Sequence, residues 1–135
     1  MLSRSFPAFA VSVPVARRYV TDLLEPEHLP AATSETVALL VSELATNAVR
    51  YAGGQFAVAV EYTAEDGRVW IGVTDAGPGL PVLRRPAVTA ERGRGLQLVG
   101  SLADRWGVRR RRGTDEKTVW FELSARPAAP PPPGT

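Results

Sequence analysis

Between residues 37 and 51 the apolar side chains recur in a helical rhythm: Val37, Leu40, Val41, Leu44, Ala48 and Tyr51. At about 100° per residue they fall within an arc roughly a third of the circumference wide, which predicts a helix with one core-facing stripe. Glu43, Asn47 and Arg50 form an adjoining polar stripe, at spacings of four and three. Thr33 or Ser34 is placed to cap this helix, and Gly53 and Gly54 to end it. The rhythm then changes. Phe56, Val58, Val60 and Tyr62 alternate with polar or small residues, predicting a strand over residues 55–63. Ala64-Glu65-Asp66-Gly67 reads as a hairpin turn, and residues 68–74, rich in Val, Trp and Ile, as the returning strand.

The flanks are weaker. Residues 5–13 predict a first strand, with Pro7 suggesting an edge. Residues 15–24 predict a helix turning Val15, Tyr19, Val20, Leu23 and Leu24 inward, with Pro14 in its first turn. The proline-bounded segment 25–30 is a loop that exposes His28. After Asp75 comes a glycine-rich turn carrying Gly77 and Gly79. Residues 82–92 have no firm periodicity and read as a mobile loop with Arg84, Arg85 and Arg92. Gly93-Arg94-Gly95-Leu96 opens a short helix over 96–103, with Leu96, Val99, Leu102 and Ala103 inward. Residues 105–112 and 117–123 form a terminal hairpin. On its last strand Val119, Phe121 and Leu123 share one face, and Thr118, Trp120 and Glu122 the other. The order β-α-α-β-β-loop-α-β-β predicts an α+β fold, a two-layer α/β sandwich whose mixed, largely antiparallel sheet carries its helices on one face. One domain is expected over residues 1–124, followed by a disordered Pro-rich tail over 125–135.

Composition narrows the chemistry. The chain has 135 residues, a net charge of +2 and no cysteine, which excludes disulfides and thiolate metal sites and suits a reducing compartment. His28 is the single histidine, so a histidine-rich metal site is excluded as well, and Lys117 is the single lysine. Neither a signal-peptide pattern nor a bilayer-length apolar run is present, so a soluble, cytoplasmic protein with no membrane contact is expected. Arg109 to Arg112 are consecutive, but a strand sends them to alternate faces and Asp115 and Glu116 follow. They read as a solvated hairpin, with no direct nucleic-acid role. Trp106 and Trp120 read as core or partner-surface aromatics.

Taken alone, Glu43 and Asn47 fit the solvated edge of an ordinary amphipathic helix, and each glycine pair fits a turn. Taken in order, they suit a nucleotide. Asp75 at a strand end can accept a hydrogen bond from an exocyclic amine, and glycines admit a ligand close to the backbone. A helix N-terminus at 93–96 offers N–H groups to phosphate. Asn47 is a hard oxygen ligand of the kind Mg²⁺ accepts, and Glu43 can take a proton from an attacking hydroxyl or water. No P-loop pattern occurs.

Glu43-x-x-x-Asn47-Ala48, Asp75-x-Gly77-x-Gly79 and Gly93-x-Gly95-Leu96 resemble the N, G1 and G2 boxes of the ATP-binding superfamily of gyrase, heat-shock chaperone, histidine kinases and MutL. The forms Ser-Glu-Leu-Ala-Thr-Asn-Ala and Gly-Arg-Gly-Leu-Gln-Leu-Val are most similar to its stand-alone anti-sigma-factor serine/threonine kinases, as found in filamentous actinobacteria. The resemblance covers about residues 6–123. It implies ATP and Mg²⁺ as cofactors, Asn47 as metal ligand and Glu43 as general base. Asp75 would bind the adenine amine, helped by Thr118 at the family's last-strand threonine. Gly77 and Gly79 would shape the adenine edge, and Gly93, Arg94, Gly95 and Leu96 would meet the phosphates beneath a lid at 82–92. The implied activity is phosphorylation of a small antagonist protein, with a sigma factor as second partner and possible homodimerisation. An ATP-binding regulator that sequesters its partner without phosphoryl transfer and a weak ATP hydrolase are the alternatives.

Overall fold

The structure, a computed structural model, describes residues 1–51, 54–76, 99–100 and 102–125. Gly77, Gly79, Gly93, Arg94, Gly95, Leu96, the segment 82–92 and the tail from 126 onward lie outside the described residues. Among those described, β1 (Leu2–Pro7), α1 (Ser12–Leu24), α2 (Ala31–Tyr51), β2 (Gln55–Thr63), β3 (Arg68–Asp75), β4 (Arg105–Arg110) and β5 (Lys117–Ser124) follow in that order. The strands form one sheet in the order β1-β2-β3-β5-β4. All four pairings are antiparallel, and α1 and α2 pack together on one face of the sheet. The fold is the expected α+β two-layer sandwich.

Alternation along the strands builds the core. Phe56, Val58 and Val60 of β2, Val69, Ile71 and Val73 of β3, and Phe121 and Leu123 of β5 turn toward the helices and are buried. From above, α2 meets them with Val37, Leu40, Val41, Leu44, Ala45 and Ala48. Burying each large aliphatic or aromatic side chain contributes about 1.5–3 kcal/mol, so this layer is what holds helix to sheet. Tyr51, expected on the same stripe, is half-buried.

The N-terminal expectations need correction. β1 stops at Pro7 rather than running to residue 13, because Phe9 donates to the Pro7 carbonyl and Ser12 to that of Phe9, turning the chain into α1. Phe9 and Val11, read as strand residues, are exposed. α1 buries Ser12, Ala16, Val20 and Leu24, a strict four-residue stripe, and leaves Val15 exposed. Tyr19 still contributes: its ring meets Phe6 edge-on at 5.8 Å, while Phe6 stacks on Phe56 at 5.5 Å. Neither Thr33 nor Ser34 starts α2, since Ala31 already does and both lie in its first turn.

In the third helical segment Val99, Gly100 and Leu102 are helical and Ala103 donates to the Val99 carbonyl. Val99 is fully buried, whereas Leu102, expected inward, is exposed. Ala125, assigned to the tail from sequence, is buried and donates its N–H to the Gly67 carbonyl at the β2–β3 turn.

Candidate functional site

Successive rungs of the β3–β5 ladder face opposite ways, and they separate residues that the sequence places side by side. Asp75 pairs with Lys117, and Thr74 with Thr118. Residues directly opposite in an antiparallel pair share a face, while neighbours along a strand do not. Asp75 therefore lies on the helix side with Val73 and Ile71. Thr118 lies on the other side, where its hydroxyl is 2.6 Å from that of Thr74.

Asp75 is the last residue of β3 and only 7% exposed. Its partner there is Lys117, 5% exposed, whose Nζ donates to Asp75 Oδ1 over 2.8 Å. The bond is short and charge-assisted, and both charges have been withdrawn from water, a cost that geometry of this quality has to offset. The sequence reading assigned Lys117 no role. Its signal was nevertheless present. The alternation that puts Val119, Phe121 and Leu123 on one face of β5 puts Lys117 there too, and puts Thr118 with Trp120.

On the facing helix, Glu43 and Asn47 are half-buried at the border of the buried stripe of α2. α2 packs on β2, β3 and β5, on the face to which Asp75 belongs. The neighbouring stripe of α2 is occupied differently: Ser42 and Thr46 return their hydroxyls to the carbonyls of Ala38 and Ser42. Arg17 of α1 donates to Ser42 Oγ over 3.1 Å, tying the two helices. Glu43 and Asn47 are thus half-buried on the helix that covers the sheet face carrying the Asp75–Lys117 pair. The amide oxygen of Asn47 is a hard donor of the kind that suits Mg²⁺ keeping its waters and sharing phosphate oxygens, not an all-protein cage.

Other polar features lie elsewhere. On the face opposite α1 and α2, Trp70 and Trp120 stack at 6.4 Å, over Gly72 and Gly107, which have no side chain. A Cβ at Gly107 would stand 3.0 Å from Trp120 Cζ2. Beside them Glu122 receives Arg68 at 3.1 Å and Arg105 at 3.8 Å. Arg111 reaches Glu116 at 3.7 Å, and Arg109, Arg110 and Arg112 are exposed. Trp106 packs against the core. A hollow of about 760 Å³ opens along α1 between Arg4, Arg17, Arg18 and Asp22, and contains none of Glu43, Asn47 or Asp75. Among the described residues no helix is long and apolar enough to cross a membrane.

Known proteins share this architecture. The profile of the histidine kinase-like ATPase domain matches residues 6–123. An uncharacterised protein of Streptomyces coelicolor is 38% identical over 90 residues, 64% of this chain and 84% of that one. The histidine kinase domain of the blue-light activated histidine kinase of Erythrobacter litoralis is similar at a TM-score of 0.51 and 25% identity. That likeness covers 71% of this chain and 46% of the other, so the chain spans about half of that protein's length. A chain of the SiaB–SiaC complex from Pseudomonas aeruginosa is similar at a TM-score of 0.59 over 91% of this chain and 89% of its own, and at 13% identity it speaks for the fold alone.

Proposed function

Because the chain belongs to the histidine kinase-like ATPase domain family, we propose that it binds Mg²⁺–ATP and acts as an anti-sigma-type serine/threonine protein kinase on a small antagonist protein. The observation that carries this reading is the buried carboxylate of Asp75 at the end of β3, on the face covered by the helix that bears Glu43 and Asn47. Asp75 accepts the 6-amino group of adenine. Asn47 is the metal ligand; bound Mg²⁺ supplies charge neutralisation across the phosphates. Gly77, Gly79, Gly93, Arg94, Gly95 and Leu96 complete the nucleotide contacts in this reading. Thr118 acts from behind the site, its bond to Thr74 fixing the rung next to Asp75.

Glu43 takes the proton of a serine or threonine hydroxyl on the antagonist. The hydroxyl oxygen then bonds to the γ-phosphorus, the bond from that phosphorus to the bridging oxygen breaks, and ADP leaves with the electron pair. Leu2, Phe9, Val11 and Val15, exposed together around β1 and the start of α1, offer apolar surface to a protein partner or a second copy of the chain.

Titration calorimetry with ATP, with and without Mg²⁺, tests the binding step, and millimolar or tighter affinity is expected. Incubation with [γ-³²P]ATP and candidate antagonists tests the transfer. Glu43→Ala should keep ATP binding while transfer falls about 10²–10⁴-fold, the usual worth of a positioned base. Label appearing in free phosphate with no antagonist labelled would mark a hydrolase. ATP binding with neither product would mark a regulator that only sequesters its partner.

A further inference from the structure

Lys117 is the buried charge that the proposed reaction does not use, and its placement points to a task. It stands on the last rung of the β3–β5 ladder, on the helix side, with Nζ 2.8 Å from the carboxylate proposed to hold the adenine amine. A pair of apolar residues of similar volume would hold such a rung as well or better, because two desolvated charges rarely repay their burial. Retaining the ions adds no stability over such a pair, and a desolvated donor and acceptor side by side are the kind of polar groups that orient a ligand in an otherwise apolar site.

The pair presents an acceptor and a donor side by side. Adenine carries the complementary pattern on adjacent positions: a donor in its 6-amino group and an acceptor in ring nitrogen N1. A 6-oxopurine carries the reverse order, an acceptor at C6 and a donor at N1. Resting on the nucleotide reading above, we propose that Lys117 is a specificity-determining residue of the base site. Its ammonium, held on Asp75, donates to adenine N1 while Asp75 accepts from the 6-amino group. An ammonium has three donors, so the bond to Asp75 Oδ1 and a bond to the base are compatible.

The ligand atom tests this directly. Wild-type protein should bind 1-deaza-ATP, in which N1 is replaced by C–H, at least tenfold more weakly than ATP, since a hydrogen bond from a charged donor is worth about 1.5–3 kcal/mol. In Lys117→Met that ratio should fall to within twofold. A Met variant that loses both nucleotides by the same factor would show a purely structural lysine and overturn the proposal. A second measurement needs no variant. Lys117 is the single lysine, so ¹⁵N-lysine labelling gives one side-chain ammonium resonance. That resonance should shift on saturation with ATP and stay near its nucleotide-free position with 1-deaza-ATP. Equal shifts, or equal affinities in the wild type, would also overturn it. Absence of any ATP binding would instead refute the nucleotide reading itself.

Discussion

Two consecutive rungs of one ladder, Asp75–Lys117 and Thr74–Thr118, make a controlled comparison. They share the same two strands, lie one residue apart along them, and occupy opposite faces. On the helix side the cross-strand pair is ionic and buried; on the open side it is a hydroxyl pair, half-buried, at 2.6 Å. Along that open face the same contrast continues as stacked tryptophans and a partly exposed Arg68–Glu122–Arg105 cluster. The comparison teaches that polarity is costly where α2 covers the sheet and cheaper on the face that no described helix covers. A charge pair on the covered side is therefore the feature that calls for a function.

The strongest way to break this contrast is Asp75→Ala, which leaves the Lys117 ammonium buried without its carboxylate. A loss of about 3–5 kcal/mol in urea unfolding is expected, with most of it recovered in Asp75→Ala/Lys117→Met. Full stability in the single variant would mean that the covered rung is no more demanding than the open one. Gly107→Ala comes next. Its Cβ would press on Trp120, costing about 1–3 kcal/mol, and the change in packing should appear in tryptophan fluorescence. Thr118→Val removes one hydroxyl bond and should cost about 1 kcal/mol, with ATP affinity far less affected than by Asp75→Ala. Smallest is Glu122→Gln, worth at most about 1 kcal/mol because its arginines are largely solvated, and less at high salt.

Much of this was readable from residue order. Alternation in β2, β3 and β5 and the stripe of α2 predicted the layers, because each element buries one regular face. The first strand was overextended because Phe9, Val11 and Val13 keep an apolar rhythm while local backbone bonds turn the chain. Val15 reads as an inward position of α1, yet the helix buries Ala16 and leaves Val15 exposed. Of the candidate site, Glu43, Asn47 and Asp75 are legible as sequence boxes. Thr118 was grouped with Asp75 by resemblance, and only the strand register shows that Lys117 is the residue across from it. Cross-strand pairing joins residues 42 positions apart, which no local pattern encodes.

The bond from Ala125 to Gly67 has a practical consequence. β5 carries the chain from Lys117 at one end of the sheet to Ser124 at the other, seven steps of about 3.3 Å each. Ala125 therefore sits at the opposite end of the sheet from the Asp75–Lys117 rung. A tether attached at Ala125 would hold the protein by the end of β5 far from that rung.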